Sequence, residues 1–100
     1  MSKPIPKAPA SLSTDAAAIW KRLAQRFMFS IGQLELLEQA LLSLDRAESC
    51  RRKIAVEGMS HLDRHGVPHP HSLLRVERDS RAAFVATFKK LDLHLPESEK

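Results

Sequence analysis

Apolar positions recur at helical spacing over three stretches of this chain. In the first, Ala16, Ile19, Trp20, Leu23, Ala24 and Phe27 step by three and four residues. That places them on one face and predicts a helix over roughly 14–29. Ser13 or Thr14 can cap it, and Asp15 suits the positive end of its dipole. In the second, Leu34, Leu37, Leu41 and Leu44 form a seam, and Leu36, Ala40, Leu42 and Ala47 widen the apolar surface. Ser30 and Gln33 fit a capping box, and Phe29 and Leu34 fit the hydrophobic staple that accompanies one. The same phase next reaches Glu48 and Arg51, so the leucine seam ends while the helix runs on to Gly58, a left-handed stop. At about 1.5 Å per residue, residues 31–57 span roughly 40 Å. In the third, Leu73, Val76, Phe84, Val85, Phe88 and Leu91 mark the buried side of a helix that resumes near Ser72 and ends before Pro96. Asp92 stands where the chain should reverse, a conformation Asp tolerates better than most residues.

Between the second and third helices, Gly58, Gly66, Pro68 and Pro70 break the pattern, and Arg64-His65-Gly66 suits a turn. A short β-hairpin or an irregular loop is expected there. Pro4, Pro6 and Pro9, with Lys3 and Lys7, make residues 1–10 a flexible or extended basic arm. The expected architecture is therefore mainly α. A helical hairpin with one long central helix, the short β element and a third helix occupy residues 11–95, and residues 96–100 form a tail.

Composition adds one constraint. Apolar residues are 43% of the 100, but 12 are Ala, and the aromatics are four Phe, one Trp and no Tyr. So small a stock of bulky side chains gives a thin core. The Leu34, Leu37, Leu41 and Leu44 seam is accordingly expected to pack against copies of the chain as an oligomer interface. The single cysteine, Cys50, cannot form an internal disulfide, which fits a reducing compartment. No apolar run approaches the ~18–20 residues that span a bilayer, and the first residues lack the apolar core of a signal peptide.

Charge changes the picture more. The net charge is +4, and residues 1–33 hold five basic residues against one acidic. Lys3, Lys7, Lys21, Arg22 and Arg26 are therefore the candidate DNA-binding residues, since Lys and Arg attract phosphates and release counterions. A second basic cluster, Arg51, Arg52 and Lys53, follows Glu48, which reaches the first two at i+3 and i+4 and neutralises part of it.

Signatures of catalysis are weak. His61, His65, His69 and His71 lie within eleven residues, and imidazole is a good zinc ligand. However, the glycines argue against a helix that would converge them, and Leu62 stands where a zinc-protease motif needs Glu. A polar, exposed loop accounts for them, and no bound metal is expected. A His-metal nuclease would need metal ligands on the following helix, which has no His, and the chain has no Asn. There is no Gly-rich phosphate loop, so no nucleotide cofactor is expected either. A helix-turn-helix regulator is a further reading, with Phe29-Ser30 as the turn. Yet the second helix would then offer Gln33, Glu35 and Glu38 to the bases in place of Arg and Lys.

Several segments, taken in order, resemble the small subunit of phage terminases, in the short helical family of cohesive-end packaging phages. They are the Pro-rich basic arm with Ala8-Pro9-Ala10-Ser11-Leu12-Ser13, Ala18-Ile19-Trp20, the run Leu41 to Glu48, Glu57-Gly58, Asp63-Arg64-His65-Gly66, Pro70 with a helix after it, and Leu91-Asp92-Leu93. Asp92 departs from the Gly common there, and His69 from an Asn. Both are turn positions, so the departures bear on local geometry. The resemblance implies a non-enzymatic factor of the host bacterial cytoplasm. Such subunits assemble into rings, recognise double-stranded viral DNA at the packaging start site and deliver it to the large subunit, which carries the ATPase and nuclease.

Overall fold

The computed structural model of the chain describes residues 5–93. Three helices and one two-stranded sheet lie among them: α1 (Thr14–Arg26), α2 (Ile31–Glu57), β1 (Ser60–Leu62), β2 (Pro68–Pro70) and α3 (Leu73–Lys89). None of these helices is long and apolar enough to cross a membrane.

Local chemistry sets the ends of the first two helices. The Ser13 hydroxyl accepts the Ala16 amide and caps α1. The same residue is bound by Asp45 of α2, whose carboxylate accepts both the Ser13 amide and its hydroxyl. The predicted helix over 14–29 is three residues too long. Phe27 is extended, and four residues, Phe27 to Ser30, turn the chain into the capping box. There Ser30 Oγ accepts the Gln33 amide and Gln33 Oε1 accepts the Ser30 amide. At the far end of α2, Gly58 has φ 90° and ψ 156°. This is not the left-handed helical stop expected but an extended conformation open essentially to Gly alone.

The two helices flanking α2 both run antiparallel to it. Ser13 opposite Asp45 sets α1 along the first half of α2. His71 opposite Glu57 and Arg81 opposite Glu48 set α3 along the second half, reaching back toward the first. The covers meet in one cluster of buried residues: Leu12, Ala16, Trp20, Leu37, Leu41 and Leu91. Leu37 and Leu41 are fully buried, and Leu34 and Leu44 are half-buried against the same cluster. Leu37 and Leu41 of the expected oligomer seam are thus core of the single chain, covered by helices on two sides of α2, while Leu34 and Leu44 stay half-exposed beside them.

On the rest of α2, the buried residues Ala40, Ala47, Cys50 and Ile54 are mostly small. On α3 the only fully covered residue is Ser80, 4% exposed, while Val76 and Val85 stand open. The expected buried side of α3 therefore holds for Phe84, Phe88 and Leu91 but not for the two valines. Asp92 has φ 50° and its amide donates to the Lys89 carbonyl, the chain reversal expected at that position.

The arm is extended and docked over the residues described. The Trp20 indole N–H donates to the Pro6 carbonyl at 3.0 Å, and Ala8 packs on the core cluster. The whole is elongated, 67 × 27 × 23 Å, with a radius of gyration of 17.6 Å, against about 13 Å for a compact 100-residue domain. Because Leu41 lies in the core of one chain, Leu41→Ala costs about 2–5 kcal/mol of unfolding free energy. Denaturant titrations should give the same loss at every protein concentration. A loss that grows with concentration would return this leucine to an interface between copies.

Candidate nucleic-acid interface

Inward-facing Ala16 and Trp20 fix the orientation of α1, so Lys21, Arg22 and Arg26 face solvent. Lys7 is exposed on the docked arm, held beside α1 by the Pro6–Trp20 bond. Lys3 lies outside the described residues. The arrangement brings Lys7, Lys21 and Arg22 to one end of the molecule, and none of the three makes an ion pair among the described residues. That is a surface able to take phosphates without first giving up a partner.

The second basic cluster is placed differently. Arg51 binds Glu48 at 3.2 Å, as the spacing predicts. Arg52 does not; the other partner of Glu48 is Arg81 of α3, at 3.1 Å, which also binds Glu77 at 3.0 Å. Arg81 first, with Arg51 behind it, holds the Glu48 carboxyl below the usual carboxylate range. The two carboxylates in turn raise the guanidinium above its ordinary value. Glu48 and Arg81 are 33% and 40% exposed, so solvent screens the attraction and the link serves register more than stability. Arg81 is 33 residues from Glu48, and no local pattern in the sequence announces the pair.

α1 and the first half of α2 are an antiparallel hairpin, with the start of α1 against Asp45. A helix-turn-helix instead crosses at roughly 90–120°. The opening turns of α2 present Gln33, Glu35 and Glu38.

The histidines have structural work. His61 and His69 are cross-strand partners with rings stacked 5.8 Å apart. Among the described residues, no three His, Cys, Asp or Glu side chains are gathered to hold a metal. His71 is the most informative. Its Nδ1 accepts the Leu73 amide at 3.0 Å, so the ring proton sits on Nε2, which donates to Glu57 at 2.7 Å. Ser72, at the cap position of α3, makes no side-chain bond to the helix, and His71 supplies the acceptor in its place.

Asp63 organises the hairpin turn. Its Oδ1 accepts the amides of His65 and Val67 at 2.8 and 2.9 Å, and Oδ2 meets His69 Nε2 at 2.9 Å. These bonds, that of His69 foremost, hold the carboxyl below its ordinary value of 3.8. A depressed carboxyl stabilises the fold above its unfolded value and loses that contribution as pH falls through the folded one. The turn should therefore hold down to about pH 4. Below that, the His65 and Val67 amide resonances should shift together toward disordered values. Movement of both amides together toward disordered values that begins well above pH 4 contradicts the arrangement. The chain as a whole matches no protein-family model, no curated protein and no solved structure.

Proposed function

We propose that this chain is a phage terminase small subunit: a non-enzymatic, ring-forming factor. It binds double-stranded viral DNA at the packaging start site and presents it to the large ATPase and nuclease subunit in the host cytoplasm. The observation that carries the DNA-binding part is the end of the molecule where Lys7, Lys21 and Arg22 stand exposed and without ion pairs among the described residues. The order of segments along the chain, from the Pro-rich arm to Leu91-Asp92-Leu93, supports the family. The elongated helical hairpin and its exposed apolar side chains support association with further copies. Because Leu37 and Leu41 are enclosed in the protomer, a neighbouring copy has to meet what remains outside. Ile31 at 83% and Val56 at 87% exposure, followed by Met28, Met59 and Leu62, are the most open large apolar side chains among the described residues.

Native mass measurement at micromolar concentration should show a closed oligomer of many copies, and a strict monomer rejects the ring. Replacing Lys21, Arg22 and Arg26 together with Ala should weaken binding to duplex DNA. The slope of log affinity against log salt should fall by about 1 for each phosphate that the variant no longer neutralises. Binding unchanged in both respects moves the site elsewhere. A dimer that protects a palindromic sequence would instead favour a small DNA-binding regulator.

A further inference from the structure

The cations of the α1 end have counterparts far along the sequence. Lys89 and Lys90 close α3, are exposed, and make no ion pair among the described residues. The two antiparallel registers bring them level with the α1 cluster. Ser13 lies opposite Asp45, so Trp20 is level with about residue 38 of α2; Arg81 lies opposite Glu48, so Leu91 reaches about the same residue. The shared core agrees, since Trp20, Leu37, Leu41 and Leu91 belong to one buried cluster. The ion pairs at Glu48, Asp63, Glu57, Asp79 and Glu77 all involve the hairpin or the parts of α2 and α3 toward it. Arg51, Arg78 and Arg81 toward the hairpin are paired, whereas Lys7, Lys21, Arg22, Lys89 and Lys90 make no ion pair among the described residues, and neither do Arg52, Lys53, Arg64 and Arg75.

We infer that Lys89 and Lys90 of α3 form a second half of the DNA contact with Lys7, Lys21 and Arg22, so that one duplex is gripped by two helices flanking α2. The inference rests on the proposed DNA binding. Helices pack about 8–10 Å apart, so two that flank a third are no more than about 20 Å apart. Duplex DNA carries one charge per ~1.7 Å of axis, so a duplex that crosses both helices at this level offers phosphates to each cluster. Glu35, Glu38 and Asp92 share this end of the molecule. The duplex therefore approaches over the outer faces of α1 and the end of α3, away from the acidic start of α2.

The test is fluorescence anisotropy of a labelled duplex with the full chain across a salt series. The variants are Lys21→Ala with Arg22→Ala, Lys89→Ala with Lys90→Ala, and all four together. Each pair is expected to weaken binding about tenfold or more near 0.1 M salt and to lower the salt slope by about 2, and the four together by about 4. If the Lys89 and Lys90 variant binds like the parent while the α1 variant is weakened, the inference fails and the proposed DNA binding stands. If the parent shows no salt-dependent binding, both fail. Lys89 also lies in the last turn of α3, where a cation favours the helix dipole. A variant that only melts earlier, with an unchanged salt slope, assigns it that role and overturns the contact.

Discussion

A helix with apolar residues on two sides has to be covered from two directions, and in this chain both covers meet on α2 around Leu37 and Leu41. The arm, α1 and the end of α3 all converge there through Leu12, Ala16, Trp20 and Leu91. Everything else in the molecule is fixed relative to that layer. It sets which face of α1 is wet, where α3 stops, and why the hairpin is carried outward beyond the reach of either flanking helix. The hairpin has no covered face of its own. Two strands alone are marginal in water, so its order depends on polar bonds: Asp63 within the turn, and His71 between the end of α2 and the start of α3.

Much of this was readable from local chemistry. The capping box and the reversal at Asp92 depend on residues within four positions of one another, and the hairpin on pairs no more than ten apart, where side chain and backbone interact whatever the rest of the chain does. What escaped were features decided by packing. Phe27 keeps the apolar rhythm of α1, yet the chain needs four residues to turn into the Ser30 cap, so the helix ends first. Val76 and Val85 look like core by size. But α2 presents Ala47 and Cys50 along its second half, and a small residue, Ser80, is the one that α3 buries. The leucine seam was visible, but its partner was not: spacing shows that a face is apolar and cannot show whose side chains cover it.

The candidate site divides in the same way. Periodicity alone exposed Lys21, Arg22 and Arg26, since they fall off the Trp20 face. The docking of Lys7 needed the Pro6–Trp20 bond, and the placing of Lys89 and Lys90 needed two interhelical registers. Segment charges also misled at the middle of the chain. Arg81 is drawn to Glu48 across 33 residues, so a basic residue of the third helix is spent on holding α3 in place.

The bond between Trp20 and Pro6 has one more consequence. The chain has one Trp and no Tyr, so its near-ultraviolet emission comes from a single indole. That indole is buried in the layer where the three helices meet, and its N–H is held by the arm. The colour and anisotropy of its light therefore report on the docking of residues 5–10 and on the state of the core without any added label.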